Sequence, residues 1–249
     1  RTILKGIGKL FCALVSILLV AVLIIGGWFG VQGYNMYQDA IEDMPISEKV
    51  ETIRAMDNFV EYEELPKIYI DAVISVEDKR FEEHRGVDYL AICRAAWNNL
   101  RTFSFAEGGS TITQQLMKNE YFTQEKKLER KFAEIFAAWE IEKQYSKEDI
   151  FELYVNTIYF GSGYYGIYDA AEGYFRKEPS ELNEYEAVML AGLPNAPSAY
   201  SPDTSPELAK QRMSQVLTRM VECEVIDQDE ADSLLAQAYT VNHEYWLIF

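Results

Sequence analysis

Three features of the sequence predict a mainly α domain carried on one N-terminal transmembrane helix. The first is an uncharged run from Leu10 to Val31, 22 residues in which Ser16 is the one polar side chain. The second is apolar periodicity of three and four residues through most of the chain beyond that run, with little strand-like alternation. The third is a series of helix-start signals at Asp88, Ser146, Ser205-Pro206 and Asp227. A chain of 249 residues has room for one generous domain plus an anchor. With 49% hydrophobic and 25% charged residues it is not a disordered chain.

Residues 1–9 form a short tail carrying Arg1, Lys5 and Lys9. The span over residues 10–32 is long enough to cross a membrane, since 22 helical residues cover roughly 33 Å against a hydrocarbon core of ~30 Å. A buried core helix of that length would show a polar face. A cleaved signal peptide would have an apolar region of only ~7–15 residues ending in small residues. This run ends in Gly26-Gly27-Trp28-Phe29-Gly30, an interfacial aromatic pair without a cleavage pattern, so it is read as a retained anchor. The basic residues before it and Asp39, Glu42 and Asp43 after it put the N-terminus in the cytoplasm and the body outside. Residues 33–46 are expected to link the span to a body over 47–249. The chain begins with Arg1 rather than Met, as an excerpt or processed form would.

Within the body, helices are expected over 47–61, closed by Pro66, and over 66–78. Asp88 should cap a helix over 89–100, and Ser110 should open a short one through Lys118. Longer helices are expected over about 124–144, from Ser146, from Pro206 to about Cys223, and from Asp227, whose Asp-Gln-Asp-Glu resembles a capping box. Phe103 and Phe105 lie in a loop between helices and either dip into the bilayer interface or pack on the core. Gly161-Ser-Gly-Tyr-Tyr-Gly166 fits G-x-G-x-x-G, but without a series of βαβ units it is read as tight turns rather than a dinucleotide site.

Residues 33–249 hold 20 of the 23 basic and all 40 acidic residues, a formal net charge of −20. Such a body repels nucleic acid, and any anion site must be a local basic cluster. Cys12 lies in the span, and Cys93 and Cys223 are read as buried free thiols rather than a bridge. Two histidines without HExxH argue against a His-based zinc site.

Chemistry concentrates in three clusters. Glu77-Asp78-Lys-Arg-Phe81-Glu-Glu-His84-Arg-Gly86 closes an apolar helix, whose end would hold a carboxylate partly out of water and make it a stronger base. On charge alone this run is a solvated turn, but Phe81, His84 and Gly86 are not needed for that. Gly108-Gly109-Ser110-Thr111-Ile-Thr-Gln114-Gln115-Leu-Met-Lys118 offers backbone amides, hydroxyls and side-chain amides to an anion or a sugar. Ser110 fits an ordinary N-cap or a ligand contact equally. In the third cluster, Lys126, Arg130 and Glu134 fall one turn apart with Lys131 beside them. Basic residues preceding the acid are the less favourable order for helix pairing. The stripe therefore suits a phosphate or pyrophosphate, held by charge-assisted hydrogen bonds.

These clusters, in this order, resemble the first three motifs of the family 51 peptidoglycan glycosyltransferases. Lys147 to Asn156 resembles the fourth, with Phe151 where leucine is usual. Gly161 to Phe175 and Leu190-Ala-Gly-Leu-Pro-Asn-Ala-Pro197 also fit, and the likeness covers roughly residues 60–220. Arg176-Lys177 stands where the family often has Gly-Lys. The resemblance implies a lysozyme-like helical fold in the bacterial cell membrane, polymerising lipid II into glycan with inversion and release of undecaprenyl pyrophosphate. It implies Glu77 as general base and Glu134 at the leaving pyrophosphate, with Lys118, Lys126, Arg130 and Lys131 neutralising charge. Asp78, Phe81, His84, Gly109, Ser110, Thr111, Gln114 and Gln115 are then expected to bind substrate. Glu152 and Asn156, one turn apart, are expected to hold the site. No cofactor is obligatory, with a magnesium or manganese ion admitted beside Glu134. Partners would be lipid II, the lipid-linked glycan, the membrane and other cell-wall synthesis proteins. Many such enzymes carry a penicillin-binding transpeptidase, but these residues contain no S-x-x-K or K-T-G. A lysozyme-like hydrolase and a non-catalytic scaffold are the rival readings.

Overall fold

The computed structural model of the protein describes residues 2–102, 108–123 and 127–240. It is mainly α, with twelve α-helices and one two-stranded hairpin among the described residues. Helix α1 (Thr2–Asp43) takes in the whole apolar run, and it is long and apolar enough to cross a membrane, its most apolar 18-residue stretch having a mean hydropathy of 2.7. Leu14, Ile17, Leu18, Leu23, Ile24 and Trp28 are all exposed on it.

The linker expected over 33–46 is helix instead as far as Asp43. Gly33, Met36, Tyr37, Ala40 and Ile41 recur at three- and four-residue spacing, and that stripe is covered by α6 (Leu128–Ile141). The helices approach closely because position 33 is glycine. A Cβ there would sit 2.4 Å from the Cβ of Phe132 and 2.6 Å from the carbonyl of Glu129.

After Pro45, α2 (Ile46–Arg54) is shorter than expected. The chain leaves it because the NH and C=O of Val60 pair with the Asn156 amide, both at 2.8 Å. Next come α3 (Lys67–Glu77), α4 (Tyr89–Thr102) and α5 (Ile112–Tyr121). Asp88 does cap α4, its Oδ1 accepting the NH of Ala91 at 2.8 Å. Ser146 opens α7 (Lys147–Thr157) through a capping box with Asp149. Strands β1 (Tyr159–Gly161) and β2 (Tyr164–Tyr165) then form a hairpin. Its glycines turn the chain with φ of +94° at Gly161, +89° at Gly163 and +84° at Gly166. The remaining helices are α8 (Ile167–Phe175), α9 (Glu184–Gly192), α10 (Pro197–Tyr200), α11 (Pro206–Glu222) and α12 (Gln228–Thr240).

Two helices are almost wholly sequestered, α9 from Tyr185 to Gly192 and α7 from Ile150 to Asn156. Helix α9 packs against α3 and α11, and α5 packs against both α7 and α6. Helix α5 is thus a strut that reaches from the core to the helix clasped by α1. Phe151 is fully buried, with the rings of Tyr62 and Phe81 at 5.9 and 6.3 Å, so the core accommodates it in place of leucine. The cysteines are free but not buried as expected, since Cys93 is exposed and Cys223 half-buried.

Candidate active site

Glu77 ends α3, and its side chain is only 9% exposed. Gln115 Nε2 donates to its Oε2 at 2.9 Å, and Arg212 Nη2 lies 3.5 Å from Oε1. Burial raises the Glu77 pKa above the usual carboxylate range, and the Gln115 hydrogen bond and the Arg212 charge offset only part of that. A carboxylate short of water but not locked into a tight ion pair is a strengthened base.

Glu134, on α6, is buried to 1% and accepts from Arg130 Nη1 at Oε1 and from Lys131 Nζ at Oε2, the latter at 2.8 Å. Lys131 Nζ also donates to Ser110 Oγ at 2.6 Å, tying this group to the segment before α5. Lys118 stands between the two carboxylates. Burial lowers its pKa, Glu134 and Glu77 pull it back up, and Arg130 and Lys131 push it down. Through Gln115 and Ser110, α5 and the segment just before it touch both Glu77 and the Glu134 group.

Helix α5 is aimed by five residues that were expected to bind substrate, and all five are buried. Thr111, not Ser110, is the N-cap, and Thr111 and Gln114 form a reciprocal capping box at 1% exposure each. The Thr111 hydroxyl donates to the Gly86 carbonyl at 2.6 Å. Asp78 accepts the NH of Ile112 at 3.0 Å, with His84 Nε2 at 3.0 and 2.9 Å from its two oxygens. Phe81 is a core side chain at 1% exposure. Asp78, Phe81, His84, Thr111 and Gln114 are buried and together fix the start of α5, while His84 Nδ1 and Gln114 Nε2 are left without a hydrogen-bond partner among the described residues. Gly86 completes this scaffold, with φ +83° and a position where a Cβ would lie 2.7 Å from the Ala138 carbonyl.

Gln115, Lys118, Ser110 and Gly109 remain at the cleft, each half-exposed. Lys126, Phe103 and Phe105 lie outside the described residues. Glu152 and Asn156 hold the segment ahead of α3. Glu152 accepts from Arg54 at 3.1 Å and from the NH of Tyr62 at 3.0 Å.

Arg212 was not anticipated. It sits on α11 with Ala209, Met213 and Val216 on the buried stripe, and an arginine in that register is the signal that could have found it. Its Nε donates to the Gly192 carbonyl at 3.1 Å and its Nη1 to Gln215 at 3.1 Å, which holds the guanidinium toward Glu77.

The family described as transglycosylase matches residues 46–221. A penicillin-binding protein 1A from Neisseria flavescens is 45% identical over 179 residues, 72% of this chain and 22% of the relative. One from Aquifex aeolicus is 44% identical over 186 residues, 75% of this chain and 26% of the relative. The chain thus spans about a quarter or less of the length of these relatives. A solved penicillin-binding protein 1A from Haemophilus influenzae aligns over 71% of this chain and 17% of its own, at 24% identity and a TM-score of 0.43.

Proposed function

This chain belongs to the transglycosylase family, and from that premise we propose that its body polymerises lipid II into peptidoglycan glycan. The acceptor is a lipid II whose sugar 4-hydroxyl enters beside Glu77. The donor is the growing chain on undecaprenyl pyrophosphate, whose phosphates lie toward α6. Glu77 takes the hydroxyl proton as the oxygen attacks the anomeric carbon. The bond from that carbon to the pyrophosphate breaks, and the leaving group keeps the electron pair. With no covalent intermediate, attack from the face opposite the leaving group inverts the anomeric centre.

The observation that carries this reading is that α5 and the segment before it touch both groups, Gln115 being hydrogen-bonded to Glu77 and Ser110 to Lys131, which also holds Glu134. A base and a cationic cradle are what the two ends of the displacement require. A positioned base contributes ~10²–10⁴ in rate, and preorganised charge at the leaving group contributes comparably. Lys126 would join the cradle. Glu134 is a positioning residue, since it aims Arg130 and Lys131. Arg212 steadies the ionised form of Glu77.

The described residues form no cage for a divalent ion, which would have to be shared between a carboxylate and the substrate's phosphates. No group of three or more His, Cys, Asp or Glu among them could hold a metal, and Glu134 already spends both oxygens on cations. The cations beside Glu134, with Lys118, are assigned the leaving-group charge.

The apolar run of α1 and the exposed Tyr89, Leu90, Trp97 and Leu100 of α4 support a body seated on the bilayer that holds the substrate's lipid tail. The charge on either side of the run favours a cytoplasmic N-terminus. Incubation of purified protein with labelled lipid II tests the proposal. Polymer is expected, and Glu77→Gln should abolish it while folding is retained. Cleavage of preformed glycan would mean a hydrolase, and neither product would mean a scaffold.

A further inference from the structure

Helix α1 has two unlike halves, and the seam between them lies beside the candidate site. Leu14, Ile17, Leu18, Leu23, Ile24, Trp28 and Val31 are exposed, and from Gly33 onward one stripe is packed on α6. The two helices run parallel. Gly33 lies against Glu129, Phe132 and Ala133. Tyr34 and Tyr37 then meet the ring of Phe136 at 5.3 and 6.2 Å, and Tyr37 feels the charge of Glu140 one turn further on. Partner numbers rise together, so both helices climb away from the apolar run. The register is pinned at Gly33, since no larger residue lets the backbones approach this closely.

Arg130 and Lys131 fall between Glu129 and Ala133 in sequence, so their backbones stand level with Gly33. Gly33 is two residues beyond Val31, a rise of about 3 Å. Beyond a hydrocarbon core of ~30 Å, each headgroup layer is roughly 5–8 Å deep. That layer holds the phosphates of any lipid. A cationic row at that level needs neither substrate nor body to move along the bilayer normal. A row set higher would have to draw methylenes out of hydrocarbon for every encounter.

We propose that the α1–α6 contact is a height gauge, in which Gly33 fixes the register that holds Arg130 and Lys131 in the plane of lipid phosphates. It rests on the reading of the cleft as a site for a lipid-linked pyrophosphate, and it adds to that reading the element that sets the depth. Gly33 acts through the helices and touches no substrate.

The test is a rigid and a flexible spacer at one point. Seven helix-forming residues inserted between Val31 and Gln32 add two turns, about 10 Å, and nearly preserve the helix face. The comparison carries seven Gly and Ser residues at the same place. Both are reconstituted with the parent in phosphatidylcholine vesicles containing labelled lipid II. Each also carries a fluorophore at Leu128→Cys, with the three native cysteines changed to serine, read by nitroxide quenchers at headgroup depth. The rigid spacer should cut polymerisation at least tenfold and move the fluorophore out of reach of the quencher. The flexible spacer should stay within threefold of the parent on polymerisation. Parental polymerisation by the rigid variant, an unmoved fluorophore in it, or equal loss with the flexible spacer would each overturn the gauge. A parent that makes no polymer would sink the proposed activity instead, and the fluorophore would still decide the height.

Discussion

Glu77 is held in a form that folding does not favour. Its folded pKa lies above the unfolded value near ~4.3, so the native state keeps a proton that the unfolded chain has lost. Stability therefore falls as pH rises through that interval, and above the unfolded value the raised pKa is a net cost. Glu77→Gln should remove the cost, so this inactive variant should melt higher than the parent in detergent at pH 7. The gain should disappear below about pH 4, where both states of the parent are protonated. An unchanged or lower melting temperature at pH 7 would contradict the burial of this carboxyl. For the reaction the sign reverses in use, because the base must be ionised, so the acid limb of the rate profile should lie above the ordinary carboxylate range. Arg212→Gln withdraws a charge that lowers the Glu77 pKa and should move that limb further up. A limb that stays in place would remove Arg212 from the site. At Thr111 the capping box predicts a loss of stability, about 1–2 kcal/mol for Thr111→Ala, read from the denaturant midpoint. Its KM for lipid II should be unchanged. The acid and the cations were legible only through the resemblance of their motifs to a family, since on charge alone the run around Glu77 reads as a solvated turn. The roles of Asp78, His84 and Thr111 were not, since a polar residue that binds substrate and one that caps a helix are spelled with the same letters.

At the scale of elements, the helix starts at Asp88, Ser146 and Pro206 were readable because each is set by side-chain chemistry within three residues. The ends of α1 and α2 were not. Helix α1 continues past its apolar run because α6 covers the stripe from Gly33, and α2 stops early because Asn156, far along the chain, takes both backbone groups of Val60. Neither partner is local, so no window of sequence contains the reason. Gly33→Val measures the α1–α6 contact directly. With 2.4 Å to the Phe132 Cβ and 2.6 Å to the Glu129 carbonyl, the added side chain must force the helices apart. Overpacking of this kind costs about 1–3 kcal/mol. In a body of this size that is a fall of several degrees in melting temperature, observable by circular dichroism in detergent. A variant that melts with the parent would mean that the helices are not held at this contact.

For the whole molecule, the mainly α class was readable from periodicity and helix-start signals, while the exposed apolar face of α4 was not. Helix α4 buries Ala95 and leaves Tyr89, Leu90, Trp97 and Leu100 exposed, an arrangement that reads in sequence as an ordinary amphipathic core helix. If that face rests on lipid, a variant keeping Trp97 as its one tryptophan should be quenched by brominated acyl chains in vesicles. Fluorescence indifferent to bromine would turn the face toward protein or water. Helix α1 passes from its apolar run to the clasp on α6 without a break. A protein carried on such a helix and a substrate tethered by its own tail meet by sliding in a plane. The quantity that governs their encounter is then molecules per unit of bilayer area. Diluting the substrate with inert lipid at constant bulk concentration should slow polymerisation in proportion, whereas diluting the vesicles in buffer should leave the rate per enzyme untouched.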